Sequence, residues 1–191
     1  SCVICYCWTH PNAGVRFVAS EMILALHSDA SYLSEPDGKS RAAGHFYLSR
    51  LNDENFNNGM ILTLSKVIKH VMTSASEAET AALFYNCKAA IPLRVALKEM
   101  GHPQCKTPTT TDNTTAQGLI SKTMIPKAAK SYDMRFNWLK CRRAQNQFNF
   151  IWRKGKDNRA DYQSKRHPVK TYISKRHDYV VDMPLPKQWT S

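Results

Sequence analysis

The sequence lacks the segments that would carry it into or across a membrane. No window approaches the run of about 18 apolar residues that a membrane-spanning helix needs. The N-terminus has neither the basic flank nor the apolar core of a secretory signal. The chain begins with Ser1 and not with Met, which is typical of a fragment of a longer protein. We therefore expect an intracellular protein, not secreted, with no membrane partner.

Acidic residues are scarce. Fifteen Asp and Glu face 27 Lys and Arg, so the formal net charge is +12. Many of the cations lie between residues 122 and 177. Such an excess favours a polyanionic partner, first of all nucleic acid, with an anionic membrane surface as the second interpretation.

The remaining composition is that of a folded protein. A hydrophobic content of 42% excludes a largely disordered chain, and 191 residues suffice for one well-cored domain with extensions or two small domains. Cys2, Cys5 and Cys7 with His10 superficially resemble a zinc knuckle, but the spacing is too tight for a structural site. We expect free or buried thiols in a reducing compartment, and the role of these three cysteines stays open.

The first half of the chain predicts three antiparallel strands followed by a helix. Residues 1–20 are predicted to be irregular. Apolar, β-rich segments predict strands over residues 22–30, 42–50 and 60–71, joined by a turn at 34–40 and a polar loop at 51–59. A long helix over residues 74–101 begins at Ser74 or Ser76 and is expected to kink, or to divide in two, at Pro92.

The second half alternates strands and helices. Strands are predicted over residues 106–113 and 147–155, and helices over 113–121, 130–145 and 157–165. The helix at 130–145 is expected to present an apolar face made of Met134, Trp138, Leu139 and Cys141. Residues 166–191 read as a basic tail or linker. This order predicts an α/β fold, a mixed sheet with helices on both faces.

Four acidic residues fall at the ends of four predicted elements: Asp29, Glu79, Asp112 and Asp161. Grouped carboxylates repel one another unless cations compensate. Magnesium takes oxygen ligands and leaves room for water and a phosphate, and two such ions about 4 Å apart can hydrolyse a phosphodiester. Taken singly, each acid can instead cap a turn, complement a helix dipole or face solvent.

Five short stretches in fixed order carry a resemblance to a known family. They are "SDASYLS", "SASEAETAAL", "TTDNTTAQGLIS", "DMRFNWLKCR" and "WRKGKDNRADYQSKRHP". This series, over about residues 20–168, resembles the ribonuclease H domain of copia-type LTR retrotransposon polyproteins. The resemblance implies a ribonuclease H-like mixed five-stranded sheet over residues 22–166. Residues 1–21 would be a connection segment that follows a polymerase, and 167–191 a basic tail or linker.

The resemblance also implies a function. Asp29, Glu79, Asp112 and Asp161 match the metal-binding carboxylates of the family, with two Mg²⁺ ions as cofactor and Mn²⁺ as a substitute. Glu77 competes with Glu79, but helix positions two apart point about 200° from each other, so only one can face the metals. The family word E-x-x-A-L matches at Glu79.

The implied activity is cleavage of the RNA strand of RNA–DNA hybrids during reverse transcription. The implied partners are the hybrid and the reverse transcriptase domain of the same polyprotein, in the cytoplasm, the nucleus or a virus-like particle. The alternative is a catalytically silent or domesticated module that only binds nucleic acid or a polymerase.

One departure concerns the loop before the last acid, where many ribonucleases H carry a histidine. Residues 151–160 contain no histidine here. Cations in this loop can contact phosphate instead, which makes Lys154, Lys156 and Arg159 candidate nucleic-acid contacts. The other candidate contacts are Ser31, Asn113 and Arg135. The aromatic residues Tyr132, Phe136, Trp138 and Trp152 are expected in the core more than in base stacking.

Overall fold

The computed structural model describes residues 2–51, 53, 56, 58–114, 118 and 130–184. The main sheet contains β2 (Ile23–Glu35), β3 (Lys39–Ser49), β4 (Met60–Ile68), β5 (Thr107–Thr111) and β6 (Phe148–Trp152). Two short strands, β1 (Ala13–Gly14) and β7 (Val181–Asp182), pair separately. The helices are α1 (Cys2–Thr9), α2 (Ala75–Glu99), α3 (Lys130–Ala144), α4 (Asp161–Ser164) and α5 (Val169–Lys175).

The five main strands form one mixed sheet in the order β4-β3-β2-β5-β6. β2 pairs antiparallel with β3, which pairs antiparallel with β4, and the turn between β2 and β3 holds the short 3₁₀ helix Pro36–Gly38. On its other side β2 pairs parallel with β5, and β5 pairs parallel with β6. The predicted fold class is therefore confirmed, with three antiparallel strands followed by parallel ones.

Helix α2 covers one face of the sheet. The Ser74 hydroxyl accepts a hydrogen bond from the Glu77 backbone N–H at 3.1 Å, so Ser74 is the N-cap. The helix runs without a break through Pro92, so the expectation of two abutting helices is wrong. Buried residues on both sides of the proline, Ala90 and Leu97, hold the two halves on the same core.

The main core lies between the sheet and helices α2 and α3. Leu24, Leu26 and Phe46 of the sheet are fully buried in one cluster with residues from both helices. The predicted face of α3 is partly wrong, because Met134 is 77% exposed and Cys141 is also exposed. The buried positions are Phe136 and Leu139, three residues apart on one side of the helix. Trp138 packs edge-on against Phe84.

The opposite face of β2 and β3 is covered by the C-terminal part of the chain. Helix α4 contacts both strands, and the Tyr179 ring packs edge-on against His45 at 5.6 Å between ring centroids. Helices therefore lie on both faces, but α4 is a single turn, shorter than the helix predicted over residues 157–165.

The two ends of the described chain are ordered, contrary to expectation. Residues 2–9 form a helix where an irregular segment was predicted, and α5 and β7 lie in the predicted tail or linker. β1 pairs antiparallel with β7, and Arg176 Nε donates to Tyr6 Oη at 3.1 Å. Each extension thus acquires its structure from the other, a long-range contact that local sequence patterns do not reveal.

Two predicted segments lie largely outside the described residues. They are the short helix over residues 113–121 and part of the loop over 51–59. Among the helices that the structure describes, none has the length and apolar character needed to cross a membrane.

Candidate metal centre beside the central strand

Three carboxylates meet beside the central strand of the sheet. Asp29, Glu79 and Asp112 each offer an oxygen, and these oxygens all lie within 4.8 Å of one another. Asp29 belongs to β2, Glu79 to the N-terminal part of α2, and Asp112 directly follows β5. Asp112 lies beyond the carboxyl end of β5, where open α/β sheets commonly place ligands. Asp29 lies within β2, which continues to Glu35, so the prediction that Asp29 ends its strand is wrong.

The gap that holds the site opens where β5 leaves β2. The two strands pair at Leu26 with Thr109 and at His27 with Thr110. Beyond that point the backbone N–H of Ala30 donates to Glu79 Oε1 at 3.0 Å. At this position β2 is therefore bonded to helix α2 and no longer to β5. The backbone N–H of Ala30 is therefore occupied by Glu79 and is not open to a phosphate oxygen.

Asp112 is fixed from the side of β6. The Trp152 indole Nε1–H donates to the Asp112 backbone carbonyl at 2.8 Å. The backbone of Gly155 passes so close that a Cβ there would lie 2.8 Å from Asp112 Oδ2. A side chain at position 155 would therefore displace the carboxylate.

Burial and mutual repulsion strain the ionised form of this group. Asp29 is 3% exposed and Glu79 7%. Burial, together with the charges of Asp112 and Asp161, raises the pKa of Asp29 to about 7. Burial and the charges of Asp29 and Asp112 likewise raise the pKa of Glu79 well above its ordinary value. The pKa of Asp112 is also raised, first by burial, while hydrogen bonds and Lys165 oppose the shift.

The donor set fits a divalent cation. Among the described residues, Asp29 Oδ2 and Glu79 Oε2 are buried without any hydrogen-bond partner. Buried oxygens of this kind are costly unless something compensates them, and an all-oxygen carboxylate group is what Mg²⁺ and Mn²⁺ accept. Asp29, Glu79 and Asp112 are therefore the residues that could hold such an ion.

Asp161 lies next to this group but not within it. Its Oδ1 is 2.5 Å from Lys165 Nζ, and its Oδ2 is 3.5 Å from Lys175 Nζ. His167 Nε2 is 3.7 Å from the same Oδ2. Asp161 is still near enough for its charge to raise the pKa of both Asp29 and Asp112. Two ammonium groups thus neutralise the fourth candidate carboxylate.

The structure also separates Glu77 from Glu79. Glu77 Oε2 accepts from both the backbone N–H and the hydroxyl of Thr73, each at 2.7 Å. With Ser74 as N-cap this is a capping arrangement at the start of α2. Glu77 therefore serves the helix terminus, and it is Glu79 whose oxygen lies beside Asp29 and Asp112.

The candidate nucleic-acid contacts differ in accessibility. Lys154 and Lys156 are exposed in the loop after β6. Arg159 is half-buried and donates to the Asp178 carbonyl at 3.3 Å, while Arg135 lies 5.9 Å from the centre of the Tyr85 ring. Asn113 is half-buried beside Asp112.

Ser31, a candidate nucleic-acid contact, and the N-terminal cysteines, whose role the sequence left open, have the following surroundings. Ser31 is 7% exposed, and its hydroxyl donates to the Ser164 carbonyl at 2.7 Å, so it serves internal packing. Cys5 and Cys7 are free and exposed, and in the described part of the chain they join no group of three metal-ligating side chains.

Sequence reasoning missed two residues that shape the site. Lys165 pairs with Asp161 at the helical spacing i,i+4, which is visible in the sequence. Trp152 was expected in the core but is 39% exposed and holds the Asp112 backbone instead. Phe136 and Trp138 do pack in the core, and the side chain of Tyr132 lies outside the described atoms.

Comparison with solved structures decides the fold. The N-terminal RNase H domain of a Mycobacterium tuberculosis protein superposes with a TM-score of 0.54 at 12% identity, covering 75% of this chain and 91% of that one. LC11-RNase H1, isolated from compost by a metagenomic approach and solved in complex with an RNA/DNA hybrid, gives 0.54 at 17% identity, covering 73% and 92%. The chain has the ribonuclease H fold.

A sequence comparison links this ribonuclease H-fold chain to a mobile element. It is 28% identical over 124 residues to a retrovirus-related Pol polyprotein from transposon TNT 1-94 of Nicotiana tabacum. The match covers 65% of this chain and 9% of that polyprotein. The predicted resemblance to the ribonuclease H domain of a retrotransposon polyprotein is thereby confirmed. No protein-family profile matches the chain.

Proposed function

We propose that this chain is a metal-dependent ribonuclease that cleaves the RNA strand of RNA–DNA hybrids. The observation that carries the proposal is the convergence of Asp29, Glu79 and Asp112 within 4.8 Å beside the central strand of a ribonuclease H-fold sheet. Each carboxylate is held by a regular element or its immediate end, so the group is formed before substrate arrives. Such preorganisation is what a hydrolytic metal site requires.

Asp29, Glu79 and Asp112 would hold Mg²⁺ or Mn²⁺, and Asp161 would join them for a second ion. When bound, such ions supply a nucleophilic water and stabilise the charge on the leaving oxygen. The chain itself contributes the orientation of the carboxylates and their shielding from water. Lys165 lies beside Asp161 and also interacts electrostatically with Asp29 and Asp112, so its ammonium can balance the negative charge of the carboxylates.

The surface near the site suits a polyanionic strand. Lys165 also lines a groove of about 720 Å³ whose other cations are Arg41 and Arg166. Lys154 and Lys156 stand exposed on the loop that passes Asp112. Contacts of this type read phosphates and not bases, and selection of RNA over DNA would come from the 2′-hydroxyls and the shape of the hybrid. Binding should therefore weaken steeply with salt.

The polyprotein match supports a further proposal about partners. The matched relative is named a Pol polyprotein, and we propose that the ribonuclease acts beside a reverse transcriptase domain of the same polyprotein. The hybrid that such a polymerase produces would be its substrate.

The test is cleavage of an end-labelled RNA–DNA hybrid, with single-stranded RNA and duplex DNA as controls, with Mg²⁺, with Mn²⁺ and with chelator. We expect cleavage of the RNA strand only in the hybrid and only with metal. Asp112→Asn should abolish it. Asp157→Asn, which removes an exposed carboxylate from the neighbouring 3₁₀ helix Gly155–Asp157, is the matched control and should cleave normally. Cleavage by Asp112→Asn would contradict the site.

One observation favours the alternative of a silent binding module. Lys165 and Lys175 already neutralise Asp161, which would have to release them to bind a metal. A silent module would bind the hybrid in a salt-sensitive way without metal-dependent turnover. The same assay, combined with a filter-binding titration over salt, separates the two functions.

A further inference from the structure

A buried amide touches or adjoins three of the four acid-bearing elements. Asn158 is 1% exposed and lies in the loop that leads into α4. Its Nδ2 donates to the backbone carbonyl of Ser28, the residue before Asp29, at 2.9 Å. Its Oδ1 accepts from the backbone N–H of Ala160, the residue before Asp161, at 3.2 Å. The same side chain lies near enough to Asp112 to oppose the rise in the pKa of that carboxyl.

The chemistry of these contacts requires an amide. Asparagine offers two N–H donors and one carbonyl acceptor. Here the donor group meets the Ser28 carbonyl, the acceptor meets the Ala160 N–H, and the side chain favours the ionised form of Asp112. Aspartate of the same shape has no donor when ionised, and it would add a negative charge to a group that already repels itself. A hydroxyl is too short and has a single donor, so it cannot bridge the same set.

A second contact holds the same loop against β2. The backbone N–H of Arg159 donates to Nδ1 of His27 at 3.0 Å. His27 and Ser28 are consecutive residues of the central strand, so two adjacent positions of β2 hold two adjacent positions of the loop. The loop is thus located relative to the strand that carries Asp29.

We propose that Asn158 is a positioning residue that sets the spacing of Asp29, Asp112 and Asp161 so that divalent cations can bridge them. Asn158 would act through these three carboxylates and not by its own contact with substrate or metal. The proposal rests on the proposed function only for the identity of the reaction. What it predicts directly is the affinity of the protein for metal in the absence of nucleic acid. Outer contacts of this kind typically change metal affinity or activity by about 10- to 100-fold.

The chain offers a matched control in Asn86. This asparagine is also fully buried, and its Nδ2 also holds the sheet, donating to Ser28 Oγ and to the Ala43 carbonyl, each at 2.8 Å. It reaches β2 from helix α2, and its described hydrogen bonds go to these two partners and not to the three carboxylates. Substitution at Asn86 therefore measures the loss of stability that follows when a buried amide bonded to β2 is removed.

The experiment measures Mn²⁺ and Mg²⁺ binding to the protein without nucleic acid by calorimetric titration, for wild type, Asn158→Asp, Asn158→Ser and Asn86→Ser. Thermal unfolding in chelator verifies that each variant is folded, and Asn158→Ser is the milder change should Asn158→Asp not fold. We expect the Asn158 variants to bind metal about 10- to 100-fold more weakly, and Asn86→Ser to bind as wild type despite a lower melting temperature. In hybrid cleavage, kcat should fall with KM nearly unchanged.

The outcomes separate this inference from the proposed function. If wild type binds metal but cleaves no hybrid, the proposed function fails and the weaker binding of the Asn158 variants still supports positioning. If the folded Asn158 variants bind metal as wild type does, or if Asn86→Ser loses metal affinity equally, positioning by Asn158 is overturned. If wild type binds no metal, positioning is overturned as well.

Discussion

The backbone N–H of Ala30 and Oε1 of Glu79 lie 3.0 Å apart, in a hydrogen bond that joins the central strand to helix α2. The other oxygen, Glu79 Oε2, is buried with no hydrogen-bond partner among the described residues, and the carboxylate lies beside those of Asp29 and Asp112. One oxygen of Glu79 therefore serves the fold and the other is available to a cation. Glu77, two positions earlier, serves the helix cap with its carboxylate.

The first prediction compares these two glutamates by the same substitution. Glu79→Gln keeps an acceptor for Ala30 but removes a metal-ligand charge, so we expect cleavage of the hybrid to fall by at least about 100-fold. Glu77→Gln preserves a capping residue, so its activity and its melting temperature should stay close to wild type. Single-turnover cleavage and thermal unfolding check both; equal losses in the two variants would contradict the assignment.

The second prediction concerns stability without metal. The folded pKa of Asp29 is raised to about 7, so its favourable contribution is present at acidic pH and is lost as pH rises from about 4 through 7. At pH 8 the folded protein must hold the ionised group. Asp29→Asn should therefore stabilise the metal-free protein at pH 8 by about 1 kcal/mol or more.

Denaturant unfolding in chelator at pH 5 and pH 8 measures this effect. The stability gained in the Asp29→Asn variant should be smaller at pH 5 than at pH 8. Saturating Mg²⁺ should reduce the gain at pH 8, because only the wild type is stabilised by the bound ion. A variant that is less stable than wild type at pH 8 in chelator would show that repulsion within the cluster is not the dominant effect.

The third prediction concerns His45, which is 1% exposed with neither ring nitrogen partnered among the described residues. Burial, with the charge of Arg159, lowers its pKa to about 4. The unfolded chain takes up this proton near pH 6.5 and the folded protein does not, so the folded state loses stability as pH falls from about 6.5 to 4. Between pH 7 and pH 5, the free energy of unfolding of His45→Phe should fall by about 1 to 2 kcal/mol less than that of the wild type.

Denaturant unfolding across that pH range checks the third prediction. Asp29 and Glu79 titrate with the opposite sign, but they are present in both proteins and cancel in the comparison. His70→Gln, which replaces an exposed histidine, is the control. Parallel pH profiles for wild type and His45→Phe would refute the prediction.

The fourth prediction tests the close approach of Gly155 to Asp112. Alanine at position 155 would place its Cβ 2.8 Å from Asp112 Oδ2, so the carboxylate must move. We expect Gly155→Ala to remain folded, to need more Mg²⁺ for half-maximal cleavage, and to lose activity by about tenfold at low Mg²⁺. A magnesium titration of the cleavage rate is the measurement; an unchanged magnesium requirement would show that the loop yields instead.

The sheet and most of the candidate site could be predicted because their signals are local. Alternating or β-branched segments indicated the strands, and the four acids stand in the short words whose fixed order carries the family resemblance. The extensions could not be predicted, since β1 and β7 are stabilised by each other across nearly the whole chain. The face of α3 was misjudged because Met134 and Cys141 fit an apolar stripe, whereas packing selected Phe136 and Leu139.

The ion pairs of Asp161 show a different limit. Lys165 could be anticipated from its helical spacing, but Lys175 reaches Asp161 only because α5 folds back over α4. Likewise, Asn158 stands in the word that carries Asp161, and its bond to Ser28 requires the loop to lie against the central strand. Residue type indicates a candidate ligand, while its partners depend on tertiary packing.

The position of β2 between β3 and β5 has a consequence for the order of folding. β3 follows β2 through a tight turn, so this hairpin closes at little entropic cost, but β5 reaches β2 only after the whole of β3, β4 and α2 has intervened. Contacts of long sequence separation form slowly. During synthesis the nascent chain can therefore build the antiparallel half early, while the acidic cluster assembles only when β5 docks, so a chain that ends before β5 would lack the assembled cluster.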